Sequence, residues 1–381
     1  MLGFKNVKTY IKGKGVVTTN IAIDGDKICK IGDVKITDPL PYSQGQIVVP
    51  GFIDRHIHGA LGSDVMDGTK DSLKNIAVSL TREGTTAFLA TTMTQERSNI
   101  IKSLSAVKEY MKTDNLSGAE LLGAHLEGPF ISPDFIGAQP KEHISSPIIE
   151  LFNEFNRASG NNIKVVTLAP ELDGASELIK HLANLGIVSS AGHTNANHLQ
   201  IENACALGLS SITHTFNAQK GIHHRDIGTA GAGLLIDKLY TEIICDLVHL
   251  SVGAVKLILK CKPKDKIVAI TDSMRAKYLP NGESELGGQK VIVNNGEARL
   301  ENGALAGSVL KMNNALANLV LKCDVPFETA IDFMTANPAL SLGVYDKMGS
   351  ITEGKLANFA VLDGDLSVAL TVRNGKIVYK A

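Results

Sequence analysis

Between residues 47 and 271 the chain repeats one pattern. Compact apolar runs occur at 47–57, 85–91, 121–126, 163–169, 187–191, 211–215, 242–247 and 266–271, and each predicts a strand. Between most of them lie longer stretches with apolar residues at helical spacing. The stretch 71–82 places Leu73, Ile76, Ala77 and Leu80 on one face, and 148–157, 175–185, 196–207 and 252–260 behave alike. Eight strands alternating with helices predict an α/β fold with a parallel barrel. A doubly wound open sheet gives the same string, so periodicity leaves both open. A glycine-rich segment, 282–307, follows the eighth run and carries a hairpin signal at Asn295-Gly296; a helical stretch follows at 310–322.

The two ends differ from the middle. Ile21-Ala22-Ile23 runs into Asp24-Gly25 and then Lys27–Ile31, a hairpin pattern. Strand-like segments recur at 358–362 and 370–372, and Asn374-Gly375 marks a turn before 377–379. Such ends predict a (β/α)8 TIM-type barrel, residues 49–351, carrying a small β-sandwich domain formed from both termini, residues 1–48 and 352–381. Two unrelated capping hairpins are the alternative.

Length agrees, since 381 residues exceed the roughly 250 of a bare barrel. A net charge of −1 gives no global field toward nucleic acid or an anionic membrane, so neither is an expected partner. The five cysteines, Cys29, Cys205, Cys245, Cys261 and Cys323, are odd in number and scattered without a CxxC pair, which suits reduced thiols. No apolar leader or membrane-length run stands out, and a cytoplasmic location is expected.

The polar residues at the strand ends carry the chemistry. His56 and His58 close the first run, Glu127 follows the third, His193 the fifth, His214 lies in the sixth, His249 follows the seventh and Asp272 the eighth. Barrel enzymes place their reactive groups at these ends. In His56-Ile57-His58 both imidazoles point to one face of a strand. Imidazole binds zinc or iron well and a carboxylate binds or bridges metals, so one or two divalent ions per subunit are expected. Asp272 is readable as a helix N-cap, or as a general base beside a metal-activated water.

The stretch 49–58, Val-Pro-Gly-Phe-Ile-Asp-Arg-His-Ile-His, resembles the opening strand of the amidohydrolase superfamily. His125-Leu126-Glu127-Gly128-Pro129-Phe130, Ser190-Ala191-Gly192-His193-Thr194 and Thr213-His214-Thr215-Phe216-Asn217-Ala218 resemble the N-acetylglucosamine-6-phosphate deacetylases. The segments 223–226, 271–274 and 305–308 follow in that family's order. The resemblance implies that Glu127, His193 and His214 are the main metal ligands and that His56 and His58 complete a second position. It makes Asp272 the catalytic acid/base. Ala138, Gln139, Asn217, Ala218, Arg225, His249, Leu305, Ala306 and Gly307 match substrate contacts, with Arg225 and His249 as phosphate partners. It implies a phosphorylated amino sugar as substrate and a homodimer, in which an arginine is free to serve its own or the neighbouring subunit's site.

Departures from the family bear on the sugar. Gln139 stands where many members carry histidine, Leu247 where glycine is common, and Gln219 where methionine is common. An N-acetylgalactosamine-6-phosphate deacetylase is therefore the near alternative. A cyclic-amide hydrolase would need a carboxylated lysine near the end of the fourth strand, but that run has only Lys164, at its start. A non-enzymatic scaffold would be expected to have lost ligands that are all present here.

Overall fold

The computed structural model describes residues 1–113 and 117–381. The barrel strands follow chain order: Phe52–Ile57, Thr85–Thr91, Glu120–Glu127, Ile163–Leu168, Val188–Ala191, Leu209–Ile212, Tyr240–Ile244 and Ile267–Ile270. Each pairs in parallel with the next. Helices outside and packed side chains inside cover both faces, which is why a run such as Thr85–Thr91 is buried at every position. The eighth strand returns to the first at the C-terminal rim. There Asp272 N donates to His56 O, and His58 N and Gly59 N both donate to Ser273 O, each at 2.9 Å. Just beneath, Thr271 Oγ1 donates to Asp54 Oδ2 at 2.5 Å.

The expected helices form, and others join them. Arg97–Met111 escapes the apolar pattern because polar residues interrupt its stripe, yet Ile100, Leu104, Val107 and Tyr110 are buried. Gly228–Leu235 holds glycines that disfavour a helix. Close approach explains one of them, since a Cβ on Gly231 would lie 2.5 Å from Ile227 Cβ. Phe327–Met334 and Ala336–Ser341 pack against the first and eighth strands.

The apolar run 47–57 divides at Gly51. Ile47–Pro50 belongs to a terminal sheet, and only Phe52–Ile57 enters the barrel. A side chain at Gly51 would come within 2.3 Å of Thr86 Oγ1, so the crossing requires glycine. The terminal sheet runs Lys376–Lys380, Val368–Arg373, Phe359–Leu362, Ile47–Pro50, Leu2–Ile11, Gly15–Asp24, Lys27–Ile31. Ile28 from one edge region and Leu370 from the other share one buried cluster with Phe4 and Phe359, so the sheet curls around its own core. The glycine-rich insertion forms a three-stranded antiparallel leaf, Gly282–Leu286, Gln289–Asn294 and Glu297–Leu300. Its apolar face packs on Met93 and Met274. No helix among the described residues is long and apolar enough to cross a membrane.

Phe4 and Phe359 meet edge to face at 5.3 Å, and both are fully buried. Phe359→Ala is expected to cost about 3–5 kcal/mol in urea unfolding of the terminal sheet. A loss below about 0.5 kcal/mol would contradict this packing role.

Candidate metal centre and catalytic cleft

Five strand ends converge on one carboxylate. Glu127 Oε1 lies 3.1 Å from His214 Nε2, 3.3 Å from His193 Nε2 and 3.4 Å from His56 Nε2. Glu127 Oε2 lies 3.2 Å from His58 Nε2. Asp272 Oδ1 stands 3.1 Å from His58 Nε2 and 3.4 Å from His56 Nε2. The groups form two buried clusters, Glu127–His193–His214 and His56–His58–Asp272. No helix begins at Asp272, which removes the N-cap reading.

The backbone is bent to aim these groups. His193, His214 and Asp272 take φ of 49°, 27° and 49°, and Phe216, Ala218 and Leu247 are also left-handed. Non-glycine residues avoid this region, and such strain persists where the surroundings over-determine it. Leu247 thus bears a conformation that glycine adopts freely. Backbone carbonyls beyond the clusters set the ring faces. His193 Nδ1 lies 3.0 Å from Phe135 O and His58 Nδ1 lies 3.2 Å from Thr91 O. A carbonyl only accepts, so each Nδ1 donates, and in the neutral ring that a cation selects the Nε2 lone pair faces the centre.

These donors fit a divalent cation. Ligand atoms about 2.0–2.1 Å from a tetrahedral ion stand roughly 3.3–3.4 Å apart, and the Glu127–His193–His214 distances are 3.1–3.3 Å. His193 Nε2 and His214 Nε2 face each other at 3.1 Å, an approach a shared cation stabilises. His56 Nε2 is buried without a hydrogen-bond partner. The charges agree. Burial opposes ionisation of Glu127, but the His56 charge and bonds from His193 and His214 outweigh it, holding the carboxyl well below its usual range. Burial likewise opposes the His58 charge, yet bonds to Asp272 and Glu127 push its pKa up to about 10. His125, beneath His56 at 4.5 Å between ring centroids, is driven down to about 3 by burial and then by His56. It stays neutral, with Nε2 2.7 Å from Thr167 Oγ1.

A cleft of about 700 Å³, open mouth included, lies above the clusters. His58, Glu127, His193, His214 and Asp272 reach it, as do Ala138, Gln139, Asn217, Ala218, His249, Leu305 and Gly307. Ala306 is buried behind it, its N donating to Ala298 O. Gln139 donates to Glu127 Oε2 at 2.9 Å and accepts from Thr94 N at 2.7 Å. It therefore steadies Glu127 as well as lining the cleft. His249 Nδ1 sits 2.6 Å from Asp246 Oδ2. Arg225 lies elsewhere, in a separate depression with His198 and Leu199, and is not brought to this cleft. Lys164 is exposed near the start of its strand, so no lysine bridge forms there. Sequence reasoning passed over His125, Thr94 and Glu242. For Glu242 the available signal was a charged residue entering an otherwise apolar run.

A histidine–carboxylate centre at the C-terminal rim of a (β/α)8 barrel defines a metal-dependent hydrolase class. Residues 47–378 match the amidohydrolase family, and the chain belongs to it. Its relatives narrow the position within that family. It is 41% identical, over 97% of its length and 96% of the relative's, to the N-acetylglucosamine-6-phosphate deacetylase of Bacillus subtilis. The crystal structure of that enzyme from Thermotoga maritima superposes with a TM-score of 0.90 at 36% identity, covering both chains fully. An aspartate-to-alanine variant from Mycobacterium smegmatis, in complex with N-acetyl-D-glucosamine-6-phosphate, gives 0.92 at 28% identity, covering 100% and 99%.

A proton balance tests the centre. His58 is pushed up to about 10, so before a cation binds it holds a proton at pH 7 that the cation must displace. Affinity for Zn²⁺ is expected to rise with pH across the neutral range. Calorimetry in buffers of different ionisation enthalpy should record net proton release, and binding without release would contradict this arrangement.

Proposed function

We propose that the chain hydrolyses the acetamide of N-acetyl-D-glucosamine 6-phosphate to D-glucosamine 6-phosphate and acetate, in amino-sugar catabolism and recycling. One observation carries the reading. A chain matching N-acetylglucosamine-6-phosphate deacetylases over nearly its whole length also gathers a two-cluster metal centre and an aspartate at one cleft.

Glu127, His193 and His214 would hold one divalent ion, and His56 and His58, beside Asp272, a second; zinc or iron suits these donors. A cation bound there acidifies water and polarises the amide carbonyl. Asp272 supplies the proton traffic. Burial opposes its charge, but His56 and then the His58 bond hold its pKa below the usual value, so it is a base at neutral pH. It takes the proton from the attacking water as the new C–O bond forms. It then returns that proton to the nitrogen as the C–N bond of the tetrahedral intermediate breaks, releasing amine and acetate. Gln139 and Asn217 line the cleft where they would meet the amide and sugar.

A cationic side chain is the strongest single partner for a phosphate. His249 lines the cleft, and no lysine or arginine does so among the described residues. Arg225 lies outside it, beside Leu199, an apolar residue 62% exposed. In this reading the working form is a cytoplasmic homodimer in which each subunit's Arg225 reaches the neighbour's cleft.

Asp272→Asn is expected to fold and bind Zn²⁺ while acetate release falls by about 10²–10⁴-fold; near-normal turnover would move the proton role elsewhere. For Arg225→Ala, kcat/KM is expected to fall about ten- to a hundredfold on the phosphorylated sugar, as for a lost charge-assisted bond. The slow reaction on the unphosphorylated sugar should scarcely change. Equal losses on both would make Arg225 structural.

A further inference from the structure

The seventh barrel strand buries a carboxylate that touches both clusters without belonging to either. Glu242 is fully buried. Its Oε1 accepts from Arg55 Nε at 2.7 Å, and Arg55, also fully buried, is tied by Nη1 to Ser341 Oγ and by Nη2 to Ser211 Oγ. Its Oε2 lies 3.1 Å from His56 Nδ1 and accepts from His214 N at 3.2 Å. An ion pair built only for stability would need the Arg55 side. The second oxygen is spent on the ring of one candidate ligand and the backbone of another, and the two belong to different clusters.

We infer that Glu242 is a positioning residue for the metal centre, fixing the His56 ring with its Nε2 toward the cation while holding the strand end that carries His214. The inference rests on the metal-dependent reading above. An ionised carboxylate has acceptors only, so His56 Nδ1 must donate to it, and in the neutral ring that binds a cation Nε2 carries the lone pair. His56 Nε2 is the ring nitrogen left buried without a hydrogen-bond partner. Arg55 Nε, 2.7 Å from Oε1 and equally buried, supplies the counter-charge that an ionised Glu242 needs at this depth. His125, packed edge-on at 4.5 Å, closes another side of the His56 ring. The His58 and His193 rings lean on backbone carbonyls, whereas His56 leans on a charged side chain anchored across the barrel.

Three donors, Arg55 Nε, His56 Nδ1 and His214 N, converge on the two oxygens of Glu242. In Glu242→Gln one oxygen becomes NH₂. It must then face Arg55, or donate to His56 Nδ1 and drive the ring proton onto Nε2, where it blocks the cation. Glu242→Asp keeps the counter-charge for Arg55 but withdraws the acceptor by one methylene. The buried pair Lys277–Glu83, at 2.8 Å, supplies a matched control in Glu83→Gln. The experiment titrates Zn²⁺ on each full-length protein against a chromophoric chelator, records the visible spectrum with Co²⁺ and measures Tm. Both Glu242 variants are expected to bind Zn²⁺ at least about tenfold more weakly, with an altered Co²⁺ spectrum. Glu83→Gln should lose stability but keep wild-type affinity and spectrum. If Glu242→Gln does not accumulate folded, Glu242→Asp decides the matter. Wild-type affinity and spectrum in a folded Glu242 variant, or equal metal loss in Glu83→Gln, would overturn the inference. A wild-type protein that binds no Zn²⁺ would instead overturn the metal-dependent reading beneath it.

Discussion

A single buried carboxylate ringed by imidazoles is the constraint on which the rest of this molecule depends. Glu127 is 2% exposed, and four histidine Nε2 atoms stand within 3.4 Å of its oxygens. Burying a charge is costly unless it is paired or ligates a metal. The surrounding architecture supplies those partners. The first, third, fifth, sixth and eighth strands each end at this point, so the barrel must close before the centre exists. The left-handed backbone at His193, His214 and Asp272 is local strain accepted at the same place.

Closure and chemistry are coupled at the seam between the eighth and first strands. The bonds that join them, Asp272 N to His56 O and His58 N to Ser273 O, run through the functional residues themselves. Asp54, clamped by Thr271 Oγ1, fixes both backbones one step below. The leaf 282–300 packs onto Met93 and Met274 beside the cleft, and the terminal sheet meets the barrel at the Gly51 crossing. The leaf thus supports the rim, while the terminal sheet is joined at the opposite end of the barrel, and neither supplies the reactive groups.

Much of this was legible in the residues. A strand period of two put His56 and His58 on one face, and polar residues following apolar runs marked Glu127, His193, His214 and Asp272. The run 47–57 hid a change of sheet, because apolar character continues through Gly51 and only the glycine marks the crossing. Arg97–Met111 was obscured because the buried Ser103 interrupts its apolar stripe. Glu242 showed only as a charge in an apolar run; its role stayed unread because its partner Arg55 is distant in sequence, and periodicity records polarity without partners. Gln139 was read as a substrate contact alone; its bond to Glu127 depends on a loop path that no spacing encodes. Arg225 was matched to the phosphate through the family resemblance, which left its own or the neighbouring subunit's site open; within one chain it lies in a separate depression, and chain order alone does not say which subunit it serves.

Anomalous diffraction from crystals soaked in Zn²⁺, collected on both sides of the zinc edge, tests the central claim most directly. The account predicts a peak about 2.0–2.2 Å from Glu127 Oε1, His193 Nε2 and His214 Nε2 together. A zinc peak bound elsewhere with that triad empty, in crystals of protein that releases acetate, would contradict it.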